Sequence, residues 1–312
     1  MNRRFTRRQF IGTVGTAGAA CVGAAYGCGE QRPFGPKRLK AHGLSGDLII
    51  VHGDDPKKMA VTAVEALGGI DKLVSAGDIV VIKPNIAWDR LPEQAATTNP
   101  AMVAAVVELC LQAGAKQVKV FDRTCNDARR SYDSSGIAKA AEEAGASVSH
   151  MLDRKFRTVA IPTGASMKEW PIYEDAASAD VLINIPIAKH HSISRLTLGL
   201  KNMMGIAGGN RGKWHPEIHQ RLADFATVTA VDLTIVDAYR ILTNRGPASG
   251  TPADVRKEGL LVAGTDPTAV DAYCATIFGL EPHEIGFVKS AHDLGLGEMD
   301  LNKIVRNRIE LA

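Results

Sequence analysis

Short apolar runs alternate with helix-like segments along residues 46–312, and this order constrains the fold more than any other feature of the chain. Runs with the length and composition of strands lie at Leu48–Val51, Asp78–Ile82, Gln117–Phe121, Val159–Ile161, Val181–Pro186, Leu233–Val236 and Leu260–Ala263. Helical spacings lie at Pro56–Ser75, Pro100–Gly114, Ser135–Ala144 and Thr268–Phe278. Because parallel neighbours need a long crossover, usually a helix, this order predicts an α/β fold with a mainly parallel sheet and helices on both faces.

The first 27 residues have the features of a twin-arginine signal peptide. Arg7 and Arg8 stand in the sequence TRRQFI and precede a weakly apolar run rich in glycine and alanine. The motif predicts the twin-arginine translocase as a partner and a periplasmic location. Small residues precede Cys28, which suits either cleavage of the signal or acylation of the cysteine, and acylation would anchor the protein to the membrane.

The rest of the chain divides into a tether and one domain. Residues 28–45 contain Pro33, Gly35 and Pro36 among several cations, and they predict a flexible tether. Residues 46–312 are long enough for a single α/β domain with a substantial core.

The charge of the chain is nearly balanced once the predicted signal is set aside. The sequence has 37 basic and 34 acidic residues, and residues 1–27 contain four arginines and no acid. Binding to nucleic acid needs a broad basic face, so we predict no nucleic-acid partner. The segment between Asp180 and Glu217, in contrast, has no acid at all and is rich in glycine. Its cations are Lys189, Arg195, Lys201, Arg211 and Lys213. Unpaired cations on glycine-rich backbone predict a site for a small anion.

Polar side chains follow most of the predicted strands. The strand ends read Lys83-Pro84-Asn85, Asp122-Arg123-Thr124, Lys189-His190-His191, Asp237, and Gly264-Thr265-Asp266. Ligands of open parallel sheets bind at the carboxyl ends of the strands, so all five ends are expected to converge on one rim. Asp266 precedes Pro267 and is better explained as a helix N-cap, Asp237 has a surface partner available in Arg240, and Cys125 reads as a plain thiol.

Candidate roles follow from these positions. Lys83, Lys201 and Arg211 are predicted to bind the anion, with Asp122 beside them, and Asn85 and Asn202 to orient it. Lys189 or His190 is predicted to act as the acid or base, because histidine titrates near neutral pH.

The histidines also suggest a metal site. His215 and His219 are four residues apart, and Pro216 suits the first turn of a helix that would bring both rings to one face. With His190 they make a candidate metal-binding trio, and surface histidines at a helix start are the alternative. The chain has no C-x-x-C motif, so no intrinsic iron–sulfur cluster is expected. The identity of any other cofactor stays open.

Four motifs together resemble the domain-of-unknown-function 362 family. They read VVIKPN at 80–85, TNP at 98–100, GLKNMMG at 199–205 and AGTDPTAVD at 263–271. The resemblance implies an α/β domain that is often exported or joined to iron–sulfur modules, and it brings no established reaction. This chain lacks the cluster cysteines of the ferredoxin-fused relatives. Its layout is also loosely similar to that of nickel-pincer lactate racemase, a likeness of fold alone.

Three functions are consistent with these features. The first is an exported enzyme that acts on a small anionic substrate at the rim of the sheet. The second is a non-catalytic solute-binding or cofactor-carrier protein that uses the same rim. The third is a redox-accessory protein that binds a metal through its histidines and is linked to iron–sulfur systems.

Overall fold

A computed structural model describes residues 35, 37, 39, 40 and 42–312. The predicted signal peptide and Cys28 lie outside the described residues, so export and acylation stay predictions. The strands, in chain order, are β1 (Leu48–His52), β2 (Ile79–Pro84), β3 (Gln117–Val120), β4 (Ser147–Val148), β5 (Phe156–Ala160), β6 (Glu169–Tyr173), β7 (Val181–Ile185), β8 (Ile187–His191), β9 (Arg195–Thr197), β10 (Leu233–Leu242), β11 (Val255–Gly264) and β12 (Arg306–Glu310).

Nine α-helices accompany the strands in the described part of the chain. They are α1 (Pro56–Ala66), α2 (Pro100–Gln112), α3 (Ala128–Ser134), α4 (Ile137–Glu143), α5 (Glu174–Ala177), α6 (Gly199–Asn202), α7 (Ile218–Thr229), α8 (Pro267–Ile277) and α9 (Gly286–Asp293). None of the helices in these residues is long and apolar enough to cross a membrane.

A ten-stranded sheet organises the domain. Its main path runs β12-β1-β11-β10-β7-β2-β3-β4, and β8 and β9 extend it from β10. Strands β10, β7, β2, β3 and β4 pair in parallel, as do β1 and β12. Strand β11 is antiparallel to both of its neighbours. The predicted α/β fold with a mainly parallel sheet is therefore confirmed, with β11 as a reversed strand inside it.

Helices cover both faces of the sheet, and alternate strand residues face two separate cores. Ile49, Val80 and Ile82 belong to the core beneath α1, α2 and α4. Leu48 and Val81 belong to the other core, beneath α7, α8 and α9. Lys83 follows Val81 by two residues, so its side chain leaves the strand on this second face.

Several element boundaries differ from the predictions: the helix predicted at Pro56–Ser75, for example, ends at Ala66. The strand predicted at Val181–Pro186 stops at Ile185 and resumes as β8, which carries Lys189 and turns back into β9. The helix predicted at Ser135–Ala144 is α4, which begins at Ile137, and α3 precedes it as a further helix that was not predicted. Gly136 separates the two, because its φ of 70° lies in the left-handed region that favours glycine.

The reversal of β11 changes which strand ends meet. Gly264 pairs with Thr234 at the beginning of β10, so the end of β11 lies at the opposite edge from the ends of the parallel strands. The expected convergence of all five strand ends is therefore wrong for Thr265 and Asp266. Asp266 caps α8 by accepting hydrogen bonds from the backbone N–H groups of Thr268 and Ala269, as predicted.

The segment predicted as a flexible tether contains a residue that is fixed to the domain. Lys37 is buried, and its Nζ lies 2.6 Å from Asp232 Oδ2. Its backbone N–H also donates to Val228 O at 3.2 Å. A buried charge stays only where it is paired, so the ion pair holds this part of residues 28–45 against the domain.

Candidate functional site

Lys83 is held at the end of β2 by three acceptors. Its Nζ donates to Pro84 O at 2.7 Å and to Asn202 Oδ1 at 2.9 Å, and it forms an ion pair with Asp122 Oδ1 at 2.8 Å. The side chain is 1% exposed. Burial lowers the pKa of Lys83, and the charge of Asp122 opposes that shift. With all three donors engaged, Lys83 organises the site and has no donor left for an anion.

An amide network joins three strands to helix α6. Asn202 Oδ1 accepts from Lys83 Nζ and from Asn85 Nδ2 at 2.9 Å, while its Nδ2 donates to Asn184 Oδ1 at 2.8 Å. Asp122 Oδ2 accepts from the backbone N–H of Ile86 at 2.7 Å. All of these side chains are buried, so the predicted site residues Lys83, Asn85, Asp122 and Asn202 form one polar cluster inside the second core.

Helix α6 is fixed above this network by a carboxylate that the sequence analysis did not select. Asp271, on α8, accepts from the N–H of Gly199 at 2.7 Å and from the N–H of Leu200 at 2.8 Å. Burial raises the pKa of Asp271 to about 7. Gly205 closes the other side, since an added Cβ there would overlap Asp122 Oδ1 and lie 2.5 Å from Lys83 Nζ. An added Cβ at Gly199 would lie 2.8 Å from Asp271 Oδ1, so close packing favours glycine at both ends of the GLKNMMG motif.

Lys189 enters the same cluster from β8. Its Nζ donates to Ala96 O and, at 3.3 Å, to Asn85 Oδ1, and the side chain is 1% exposed. Burial, followed by the charge of Lys201, lowers the pKa of Lys189 to about 7. An ammonium has three donors and two are used, so one N–H remains for a ligand when Lys189 is protonated.

Lys201 is the least satisfied cation of the cluster. Among the described residues its Nζ has one acceptor, the weakly accepting thioether of Met204 at 3.7 Å. The side chain is partly exposed. Burial lowers the pKa of Lys201 to about 8, with the charges of Arg211 and Lys83 acting in the same direction and Cys125 opposing them. Lys201 therefore offers free donors at the point where the cluster reaches the surface.

Arg211 donates hydrogen bonds to backbone carbonyls of the loop after β3. Its Nη1 donates to Arg123 O at 3.0 Å and to Met204 O at 3.3 Å, and its Nη2 donates to Thr124 O at 3.1 Å. Cys125 Sγ lies 3.8 Å from the same Nη2. The geometry brings Arg211 to the predicted site, with its guanidinium already engaged by backbone carbonyls.

The two adjacent histidines of β8 differ in surroundings. His190 Nδ1 accepts from the N–H of Gly246 at 3.1 Å, which directs that ring toward the 244–250 loop. His191 is 8% exposed, and its Nδ1 accepts from the N–H groups of Ile193 and Ser194, both at 3.2 Å. Burial, then the charges of Lys201 and Lys189, lowers the pKa of His191 to about 2. His191 is thus the histidine that lies near the two lysines, in place of the predicted His190.

The predicted metal trio is not assembled. In residues 35, 37, 39, 40 and 42–312, no three His, Cys, Asp or Glu side chains are grouped so that they could hold a metal ion. His215 and His219 line a separate cleft with Ile193 and Ser290. His190 does not line that cleft, and its Nδ1 accepts a hydrogen bond from the N–H of Gly246. The combination of His190, His215 and His219 as metal ligands is therefore wrong for this structure.

Asp237 has a structural role in the buried interior. Its Oδ2 accepts from the N–H of Asn99 at 2.8 Å and its Oδ1 from the N–H of Tyr239 at 3.0 Å. Burial raises the pKa of Asp237 to about 6. The carboxylate ties β10 to the start of α2, and the suggested surface pair with Arg240 is replaced by these backbone contacts.

A comparison with known families covers the part of the chain that contains this cluster. A family model described as "Domain of unknown function (DUF362)" matches residues 80–276, which include Lys83, the GLKNMMG motif and Asp271. The chain belongs to the DUF362 family. A thylakoid-associated protein of Synechocystis sp., sll1697, is 30% identical to it over 243 residues, covering 75% of this chain and 74% of that protein.

Solved structures give a weaker likeness. The apoprotein of lactate racemase from Thermoanaerobacterium thermosaccharolyticum matches with a TM-score of 0.45 and 14% identity, over 80% of this chain and 56% of that one. A protein from Thermotoga maritima matches with a TM-score of 0.41 and 10% identity, over 73% of this chain and 60% of that one. The DUF362 chain thus spans less than two thirds of either structure's length.

Proposed function

We propose that this DUF362 protein is an enzyme that binds a small anion at Lys201 and Lys189 and moves a proton there. The observation that carries the proposal is the pair of lysines without a carboxylate partner. Lys83 is paired with Asp122, but the hydrogen bonds of Lys189 and Lys201 in the described residues go to a carbonyl, an amide and a thioether. Two cations left unpaired at one edge of a core favour a bound anion.

The two lysines suit proton transfer near neutral pH. A group whose pKa is close to the working pH exchanges its proton most effectively, and the pKa values of Lys189 and Lys201 are lowered to about 7 and about 8. One lysine in its ammonium form would hold the anion while the other, as a neutral amine, accepts a proton. The pKa of His191 is lowered to about 2, so this ring stays neutral near neutral pH and does not exchange the proton. Its Nδ1 accepts hydrogen bonds, so the ring proton is on Nε2.

Replacement of Lys201 tests the proposed anion site. We expect Lys201→Met to weaken binding of acetate or inorganic phosphate at least tenfold, because a charge-assisted hydrogen bond is worth roughly 1.5–3 kcal/mol. Wild-type affinity should also fall between pH 6 and pH 9, as Lys189 and then Lys201 lose their protons. Isothermal titration calorimetry across this pH range measures both effects.

Lys213→Met is the matched control for this experiment. Lys213 belongs to the same acid-free segment and is exposed. Equal losses of affinity in the Lys201 and Lys213 variants would mean that the anion responds to general surface charge, and they would contradict the proposed site.

A non-catalytic carrier is the second candidate function. The partly exposed Lys201 and the fully buried Lys83 cluster would serve simple binding equally well. Incubation of the wild-type protein with a pool of small carboxylates separates the two functions, since an enzyme produces a new compound and a carrier only retains one. A bound anion released unchanged by wild type would favour the carrier.

A further inference from the structure

Arg123 and Arg211 are held against each other by the backbone of two loops. Arg211 Nη1 donates to Arg123 O at 3.0 Å, and the backbone N–H of Arg123 donates to Gly205 O at 3.0 Å. Arg123 Nη1 in turn donates to Ala207 O at 3.0 Å and to Gly209 O at 2.8 Å. The loop after β3 and the glycine-rich segment after α6 are therefore fixed to each other, and both guanidinium groups are fixed with them.

Met204 joins this pair of arginines to the proposed anion site. Its carbonyl oxygen accepts from Arg211 Nη1 at 3.3 Å, and its thioether sulfur lies 3.7 Å from Lys201 Nζ. One residue thus contacts both cations, and Arg211 connects Lys201 on one side to Arg123 on the other. All three cations are partly exposed, so they form a row that a ligand can reach from solvent.

The guanidinium of Arg123 has one edge available for such a ligand. Both hydrogen bonds of its side chain use Nη1, so Nε and Nη2 have no acceptor in the described part of the chain. Neither of these nitrogens is buried. Together they form the fork that pairs with a carboxylate or a phosphate through two parallel hydrogen bonds. The Phe156 ring, whose centroid lies 5.5 Å from Cζ, helps to hold the guanidinium in place.

No carboxylate neutralises the two arginines. Neither Arg123 nor Arg211 forms an ion pair with an acid among the residues that the structure describes. Burial lowers the pKa of Arg123, with the charge of Arg211 acting in the same direction and the exposed Asp153 and Cys125 opposing them. Two guanidinium groups held together without an acid repel each other, and a bound anion would relieve that repulsion.

We propose that Arg123 and Arg211 form a second anion subsite beside the lysines, and that the substrate carries two separate anionic groups. The inference rests on the proposed function, because one of the two groups would bind at Lys201 and Lys189. The other group, a carboxylate or a phosphate, would bind the Nε and Nη2 edge of Arg123, with Arg211 contributing charge. The substrate class is therefore a small dicarboxylate or a small carboxylate that also bears a phosphate.

A series of dicarboxylates tests the two subsites. Calorimetry at neutral pH compares acetate with malonate, succinate, glutarate and adipate. We expect the dicarboxylate of matching length to bind about tenfold more tightly than acetate, because its second group adds charge-assisted hydrogen bonds. 3-Phosphonopropionate has the chain length of succinate and carries a phosphonate at one end. Its affinity relative to succinate shows whether the second subsite prefers a phosphate or a carboxylate.

Replacement of Arg123 separates the second subsite from the first. Arg123→Met should lower the affinity for the best dicarboxylate to that of acetate and leave the affinity for acetate unchanged. Arg123→Lys keeps the charge without the fork, so it should restore only part of the lost affinity. Lys201→Met should weaken binding of acetate and dicarboxylate alike. Arg129→Met is the matched control, because Arg129 is an exposed arginine of α3, and both affinities should stay at the wild-type level.

Three results would overturn the inference. The first is equal affinity of wild type for acetate and every dicarboxylate, and the second is a dicarboxylate preference that survives Arg123→Met or is lost equally in Arg129→Met. The third is a loss of acetate binding in Arg123→Met, which would show a general effect on the site. If acetate binding by the wild-type protein still depends on Lys201, only the second subsite fails. If neither acetate nor any dicarboxylate binds, the proposed function fails with it.

Discussion

Lys189 shows how the surroundings of a residue can bring its pKa close to neutral pH. Its amine is almost completely removed from water, and the carbonyl and amide oxygens that it contacts carry no full charge. Burial without a counter-ion favours the neutral amine, which is why its pKa falls to about 7. Lys83 is equally buried but keeps Asp122, so the two lysines have different electrostatic partners within one cluster.

This difference predicts a pH-dependent stability. The pKa of Lys189 is about 7 in the folded protein and near 10.5 in the unfolded chain, so the unfolded chain binds the proton more tightly. The free energy of unfolding should therefore rise as the pH goes from about 7 to about 10.5, by an amount on the order of a few kcal/mol from this residue. Lys189→Met should remove that part of the rise, as measured by urea unfolding at several pH values.

The comparison must be made against wild type at each pH. Lys201 contributes in the same direction, and Asp271, whose pKa is raised to about 7, contributes stability that is lost as the pH rises toward 7. Unfolding curves of wild type and Lys189→Met that stay parallel from pH 7 to pH 10 would show that Lys189 is protonated normally in the folded protein.

At the scale of elements, the sequence predicts the strands and helices better than their directions. Apolar runs gave β1, β2, β3, β7 and β10, and the Asn99-Pro100 and Asp266-Pro267 pairs gave the starts of α2 and α8. The reversal of β11 was not predicted, because a buried antiparallel strand has the same apolar composition as a buried parallel one. The end of β11 was therefore assigned to the wrong edge of the sheet.

The sequence predicted only part of the site, because it does not show which face of a strand or helix meets its neighbours. Strand ends and the acid-free segment identified Lys83, Asn85, Lys189, Lys201 and Asn202, which the fold brings together. Two further residues were missed. The sequence analysis selected His190 in place of His191, because strand alternation does not say which face carries the site. Asp271 lies inside an apolar helical pattern, and only its tertiary contact to α6 reveals its role.

Gly205 lies where the turn after α6 packs closely against the Lys83–Asp122 pair. We expect Gly205→Ala to lower the free energy of unfolding by about 1–3 kcal/mol, the usual cost of inserting a methyl group into a packed interior. The new Cβ would press on the Lys83–Asp122 pair. Gly46→Ala is the control, because nothing lies within 4 Å of an added Cβ there, and its effect should stay within about 0.5 kcal/mol. Equal, small effects in both variants would mean that the turn moves aside freely.

At the scale of the whole molecule, the segment before β1 is joined to the centre of the sheet. Asp232 is fully buried and contacts Lys37, the N–H of Lys40 and the N–H of Leu182 on β7. One carboxylate therefore fixes residues before the first strand to the strand at the middle of the fold. The composition of this segment predicted flexibility, because a buried partner 195 residues away leaves no local signal.

Removal of this ion pair should weaken the whole domain. Lys37→Met leaves Asp232 buried with a reduced set of partners, and breaking a buried pair costs roughly 3–5 kcal/mol. The measurement is the midpoint of thermal unfolding. Lys257→Met, which removes the exposed partner of Asp54, should leave that midpoint unchanged. A Lys37 variant as stable as wild type would show that the contact contributes nothing to the fold in solution.

The distance along the chain between Lys37 and Asp232 also sets an order of events during synthesis. A ribosome makes Lys37 first, and the carboxylate that binds it follows 195 residues later. The N-terminal segment can dock only after most of the nascent chain has emerged. Attachment of the segment through this ion pair therefore follows the synthesis of Asp232.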